Sequence, residues 1–286
     1  MLLNMRDLLA VANKNNFAVP AFNISDYSMF KGIMEVSEEM HSPVIIAIHP
    51  DELRHIGADL LPAIVQRTRK SAIPACIHMD HGATFGQIME AIQCGFTSVM
   101  IDGSSLSFGE NIAICQKVVE AAHTVDVSVE GELGTIGSTD REAEYGTNEI
   151  IYTNPADAVE FVKATGVDTL AIAIGTSHGL YPQGMIPKLR LELLREIKEK
   201  VSIPLVLHGG SGNPDEEISR SVTFGINKIN ISSDIKAAYY IKMREVLSDA
   251  GLREPNTIQP PCIAAMQEVA RHKIQLFEAA QKASLY

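Results

Sequence analysis

The sequence predicts a TIM (β/α)8 barrel with one additional C-terminal helix. Three observations carry that reading. Short runs rich in Val, Ile and Leu recur eight times and alternate with helical patterns, as successive βα units do. Most of these runs are apolar on both faces, as in a parallel sheet buried from both sides. The length of 286 residues suits one such barrel. No linker-like composition divides the chain, so residues 1–286 are assigned to one domain. An open, doubly wound sheet is the alternative, because periodicity does not separate a closed sheet from an open one.

Strand one is predicted at 18–22, before a helical pattern at about 25–41 in which Ser25 and Asp26 precede Tyr27-Ser-Met-Phe30 as caps. Strands two (43–48), three (74–79) and seven (204–207) open at Pro43, Pro74 and Pro204, where an unpaired strand start tolerates proline. Helices follow at 57–71 and 84–94, the latter stopped by Gly95. Strand four (98–101) leads to a helix at 108–124, and strand five spans 127–131. The polar stretch from Gly134 to Asn148 is too long for an ordinary βα turn and reads as a lid. Asn154-Pro155 opens a helix at 155–165, with proline in the first turn and Gly166 as its stop. Strand six (168–174) precedes a helix at 188–200. Asn213-Pro214 opens one at 214–223, and strand eight (228–231) precedes one at 234–249. A last helix, 262–280, would cover a barrel end or meet a partner subunit.

Hydrophobic residues make up 46% and charged residues 21%, which suits a globular chain with a large core. The formal net charge of −11 argues against a nucleic-acid surface or an anionic membrane, since both reward clustered Lys and Arg. Cys76, Cys94, Cys115 and Cys262 form no CxxC and read as reduced, mostly buried thiols. The start, Met1-Leu-Leu-Asn-Met-Arg-Asp7, lacks a basic region followed by an apolar stretch. No apolar run reaches the roughly 18 residues of a membrane helix. A cytoplasmic location is the default expectation.

Barrel active sites gather at the C-terminal ends of the strands. Those ends carry Asn23, Asp80-His81, Asp102, Glu130 and Glu132, His178, His208 and Asn230. Seven of the eight strands thus end in a group that can ligate, titrate or donate. His81, His178 and His208 are the candidate zinc ligands, since three histidines with an open fourth position make a catalytic site. Asp80 is a candidate for proton transfer, or alternatively an orienter of a histidine. Asp102 and Glu132 are candidate ligands of a second divalent metal, or hydrogen-bond partners of the histidines. One of Glu130 and Glu132 is expected to face the barrel interior or mouth and the other the helices. Gly209-Gly-Ser-Gly212 leads into a helix start, a place where backbone N–H groups approach a phosphate. Asn230-Ile-Ser-Ser233 faces it from the next loop, and these two loops form the usual phosphate site of this fold. Lys228 is read as starting its strand, away from the mouth.

The motifs HMDHG (78–82), SVMIDGS (98–104), VSVEGELG (127–134), AIAIGTSHG (171–179), PLVLHGGSG (204–212) and KINISSD (228–234) resemble those of class II, zinc-dependent ketose-bisphosphate aldolases. The similarity runs from AVPAFN at 18–23 to about residue 275, and is closer to the shorter bacterial fructose and tagatose members. It implies zinc on His81, His178 and His208, and Asp80 as proton donor. In some members a second metal lies at the positions of Asp102 and Glu132. Asn23, Gly179, Gly209, Gly210, Ser211, Asn230, Ile231, Ser232 and Ser233 would hold the substrate, chiefly its dihydroxyacetone phosphate half. A monovalent cation, Na⁺ or K⁺, lies near Gly179 and Gly209–Ser211 in some relatives. Relatives are commonly dimers or tetramers, so a homo-oligomer is expected, and an accessory subunit is a further candidate partner. The implied reaction is reversible cleavage of a ketose 1,6-bisphosphate, with tagatose 1,6-bisphosphate favoured and fructose 1,6-bisphosphate the alternative, to dihydroxyacetone phosphate and an aldehyde such as glyceraldehyde 3-phosphate.

The chain departs from the pattern at four places. The GRDA-like segment whose arginine grips the second phosphate is Pro261-Cys-Ile-Ala-Ala265. The GGxED run is Gly137-Ser-Thr-Asp140, the NxxTE pattern is Asn230-Ile-Ser-Ser-Asp234, and the late FGS is Phe277-Glu-Ala. A ketose 1-phosphate lacking the second phosphate is therefore the alternative substrate. Glu142 or Glu144 in the polar loop is a candidate base for the C1 proton. A metal-dependent hydrolase and a silent sugar-phosphate-binding protein are the competing classes.

Overall fold

The structure, a computed structural model, describes residues 1–139, 150–182 and 184–286. Eight parallel strands close into a barrel. They are β1 Val19–Asn23, β2 Val44–Ile48, β3 Ala75–Gly82, β4 Ser98–Ile101, β5 Ser128–Leu133, β6 Thr169–Ile172, β7 Leu205–Leu207 and β8 Ile226–Ile231. Closure is made by β8 against β1, in register from Val19 opposite Lys228 to Phe22 opposite Ile231. That pairing excludes the open sheet. The helices that cover the barrel pack its outer face with residues such as Ile33, Ile88, Val118, Phe161, Leu194 and Ile218, all fully buried.

The helices are α1 Met5–Asn15, α2 Tyr27–Glu39, α3 Pro50–Ile56, α4 Leu61–Arg69, α5 Phe85–Gln93, α6 Phe108–His123, α7 Pro155–Thr165, α8 Leu191–Lys200, α9 Asp215–Thr223, α10 Ser233–Val246 and α11 Pro255–Leu276. Asp26, Thr84, Ser107 and Asn154 accept backbone N–H bonds at their N-caps, which satisfies donors that the first helical turn leaves unpaired.

Several elements differ from the sequence expectation. Helix α1 was not expected; Asn4 caps it, and Met5, Leu8, Leu9 and Ala12 bury one face. Helix α3 was not expected; it ends at Gly57, whose φ of 87° is costly for residues with a side chain, and the stretch expected as one helix at 57–71 forms as a 3-10 turn, Ala58–Leu60, leading into α4. Strand β8 begins at Ile226, so Lys228 is an interior residue of its strand. Helix α11 begins at Pro255 and runs through Pro260 and Pro261. Prolines usually end a helix because they lack an N–H and crowd the preceding turn, and here packing on α2 and α10 carries the helix past them.

The cysteines are free. Burial pushes the Cys76 and Cys115 thiols up to about 12, and Cys262 is fully covered. Only Cys94 is partly exposed. Iodoacetamide at pH 8 is therefore expected to alkylate Cys94 first in the native protein, because the thiolate is the reactive form. Peptide mapping that found Cys76 or Cys115 labelled as fast would contradict this packing. Among the described residues no helix is long and apolar enough to cross a membrane.

Candidate active site

Adjacent residues of a regular strand face opposite sides of the sheet, yet Asp80 and His81 both turn into the barrel mouth. A bulge in β3 resolves this. Met79 pairs with Val99 but Gly82 with Ile101, so β3 carries one extra residue there. His81 takes a left-handed conformation, φ 48°, which costs a residue with a side chain about 1–3 kcal/mol. Bulges of this kind re-aim side chains beside active sites. Gly82 completes the bulge, since a Cβ there would stand 2.8 Å from the carbonyl oxygen of Met100.

Asp80 is held at both oxygens. Asn23 Nδ2 donates to Oδ2 at 2.9 Å, and Asn230 Nδ2 donates to Oδ1 at 3.0 Å. Burial opposes its charge, but His81, His208, Lys228 and His78 outweigh burial and hold the carboxyl well below its ordinary range. His81 places Nδ1 2.9 Å from Asp102 Oδ2 and Nε2 2.9 Å from His208 Nδ1. Burial disfavours charge on His81, and Asp80 and Asp102 overcome it, raising the imidazole to about 9. Asp102 is itself fixed by the N–H and hydroxyl of Ser104.

His178 lies beyond β6, on a two-residue ladder in which Ser177–His178 pairs with Gly137–Ser138. Thr139 locks that ladder, donating to the His178 carbonyl from its N–H at 2.9 Å and from its hydroxyl at 2.7 Å. The start of the long loop after β5 thus fixes His178. Glu142, Glu144 and the rest of that loop from Asp140 lie outside the described residues.

One ring nitrogen from each of His81, His178 and His208 lies within 4.8 Å of the others, and His81, Asp102 and Glu132 form a second such group. Two buried atoms in these groups, His178 Nε2 and Glu132 Oε2, have no hydrogen-bond partner among the described residues. Buried polar atoms rarely stay unpaired. Burial and the charge of Asp102 push the Glu132 carboxyl well above its ordinary range. A divalent cation held by each group would satisfy the orphaned atom in it, and imidazole with carboxylate suits zinc. The residues present therefore fit a metal.

Asn23, Gly179, Gly209, Ser211, Asn230, Ser232 and Ser233 line one small cavity with Asp80 and His178. Gly210 and Ile231 do not line it. Gly210 donates its N–H to the Asn230 carbonyl, and the Ile231 side chain is in the core. Gly209, at φ 63°, approaches so closely that a Cβ would stand 2.6 Å from the Ser177 carbonyl oxygen. The loop is braced from outside. Asp234 accepts from the Gly212 N–H at 3.1 Å and pairs with Lys273 of α11 at 2.9 Å.

The profile described as class-II fructose-bisphosphate aldolase matches residues 3–282. The chain belongs to the class-II fructose-bisphosphate aldolase family. The D-tagatose-1,6-bisphosphate aldolase subunit GatY of Klebsiella oxytoca is 36% identical over 277 residues, covering 96% of this chain and 97% of that protein. The YdjI aldolase of Escherichia coli superposes with a TM-score of 0.87 at 33% identity, over 99% of this chain and 100% of that one. The fructose-bisphosphate aldolase of Campylobacter jejuni shares the fold, with a TM-score of 0.79 at 21% identity, over 98% and 97% of the two chains. The protein is thus a class II aldolase, an enzyme family that generally uses zinc.

Two features of this aldolase escaped the sequence reading. His49 directly follows β2, is buried, and stands with its ring centre 6.5 Å from that of His81. It supplies the polar group that strand two was thought to lack, and its place immediately after an apolar run was a usable signal. Glu130 and Glu132 both face inward, against the expectation that they diverge. Residues two apart in a strand share a face, so Glu130 lies one layer below Glu132, against Lys228.

Proposed function

We propose that this class II aldolase cleaves a ketose 1,6-bisphosphate, foremost tagatose 1,6-bisphosphate, to dihydroxyacetone phosphate and glyceraldehyde 3-phosphate, with zinc held by His81, His178 and His208. The observation that carries this reading is the convergence of those three rings and Asp80 beside the Gly209–Gly212 loop. The tagatose preference is supported by the relative named as a tagatose-bisphosphate aldolase subunit and by the absence of arginine from Pro261–Ala265, a feature shared with the tagatose-type members that the sequence resembles.

Zinc, when bound, supplies Lewis-acid stabilisation of negative charge on the ketose oxygens. The remaining work falls to the chain. Asp80, held ionised and aimed by Asn23 and Asn230, takes the proton of the C4 hydroxyl as the C3–C4 bond breaks. In condensation it returns that proton to the aldehyde-derived oxygen. Ser211, Ser232, Ser233 and the backbone N–H groups of their loops hold the C1 phosphate. Asp102 fixes His81 through Nδ1. Asp102 and Glu132 would also hold a second divalent metal. Gly179 and Gly209–Ser211 would form the site of a monovalent cation.

The missing arginine also favours a second reading, a ketose 1-phosphate substrate. One experiment separates the two. Zinc-loaded enzyme is given tagatose 1,6-bisphosphate, fructose 1,6-bisphosphate and ketose 1-phosphates, and dihydroxyacetone phosphate is followed with and without EDTA. EDTA-sensitive release, fastest from tagatose 1,6-bisphosphate, is expected. Faster release from a ketose 1-phosphate would establish the second reading, and EDTA-resistant release would remove the metal.

A further inference from the structure

Below the histidines, the barrel encloses a pair of opposite charges that the proposed chemistry does not use. Glu130 on β5 and Lys228 on β8 are both fully buried. Lys228 Nζ donates to both Glu130 oxygens, at 3.1 and 2.8 Å. It also lies 3.4 Å from His78 Nε2, and His78 Nδ1 meets the Ser98 hydroxyl at 2.9 Å. A buried ion pair is a weak source of stability, because removing both charges from water offsets their attraction. Its placement points to another role. Glu130 Oε1 stands 2.7 Å from His208 Nε2.

His208 has only two nitrogens to present. Nδ1 faces His81 Nε2 at 2.9 Å, inside the ligand group. To bind a metal there, Nδ1 must offer its lone pair, and the ring hydrogen must sit on Nε2. An ionised carboxylate accepts hydrogen bonds and donates none. Glu130 therefore selects the Nε2–H form, and the two bonds from Lys228 fix the direction in which it accepts. Partners of this kind set ring orientation and basicity in metal sites, and their loss costs roughly 10–100-fold in metal affinity.

We propose that Glu130, braced by Lys228, is a positioning residue that locks His208 in the tautomer presenting Nδ1 to the metal and thereby sets the zinc affinity of this aldolase. The inference rests on the metal reading above.

Two double variants test it, both free of buried charge so that neither leaves an unpaired ion. Glu130→Gln with Lys228→Met keeps an acceptor that can face His208. Glu130→Leu with Lys228→Met removes it. Zinc affinity is measured by competition with a chromophoric chelator, and the His208 tautomer by ¹⁵N chemical shifts in metal-free protein. The Gln/Met protein is expected to bind zinc nearly as wild type does and to keep the Nε2–H signature. The Leu/Met protein is expected to bind roughly 10–100-fold more weakly and to show mixed tautomers. Equal zinc affinity and equal ¹⁵N shifts in the two variants would overturn the positioning role. Wild-type protein that takes up no zinc would instead overturn the metal reading on which the role depends.

Discussion

Replacing Asp80 by asparagine is expected to lower kcat for cleavage by about 10²–10⁴-fold, the usual worth of a positioned acid–base group. The fold and the zinc affinity are expected to survive. Asparagine matches aspartate in shape, and the carboxylate it replaces bonds only to the side-chain amides of Asn23 and Asn230 among the described residues. An amide can turn to offer oxygen or N–H, so Asn23 or Asn230 can adapt to an asparagine between them. What the variant loses is the capacity to take a proton. Two assays separate that loss from a general one. Cleavage needs the C4 hydroxyl proton removed. Exchange of the C1 proton of dihydroxyacetone phosphate with solvent does not involve C4, and should persist. A variant that lost exchange as completely as cleavage would place Asp80 at C1 or in the support of His81.

The fold was legible because eight buried parallel strands leave a plain trace, and seven of their ends carried groups that can ligate, titrate or donate. Closure of the barrel was expected from the number of βα units and the chain length. The pairing that makes it, Val19 with Lys228, is one that no local pattern encodes. The candidate site was legible as residue types at strand ends, but not as geometry. Sequence placed Asp80 and His81 side by side without the bulge that lets both reach the mouth. It ended strand six at 174 and let it lead to His178, without the separate ladder held by Thr139 on which the residue stands. Lys228 was passed over because a lysine in an apolar strand looks like its polar edge. Its fully buried ion pair with Glu130 exists only once β5 and β8 face each other across the barrel. Each of these failures concerns contact across the fold, the level at which single-sequence patterns carry least information.

His178→Ala should separate stability from function as sharply as any change in this protein. Its Nε2 is buried without a partner among the described residues, and an unsatisfied buried polar group costs about 1–3 kcal/mol. The ring also packs edge-on against His81, with centroids 5.1 Å apart, and losing that contact opens a void. These effects oppose each other, so metal-free stability should change by no more than about 1 kcal/mol. The backbone anchor survives, because Thr139 bonds to the carbonyl of residue 178 and not to the ring. On the proposed metal reading, zinc binding loses one of three nitrogen donors. Zinc at 100 times its Kd stabilises the folded protein by about 2.7 kcal/mol, and the variant should forfeit most of that. Thermal unfolding with and without zinc should show a rise in Tm for wild type and little for the variant, with cleavage falling to background. If Tm of the variant rose with zinc as much as that of wild type, the ion would be held without His178. The His81, Asp102 and Glu132 group would then be the site to examine, since its buried Glu132 Oε2 also lacks a partner among the described residues.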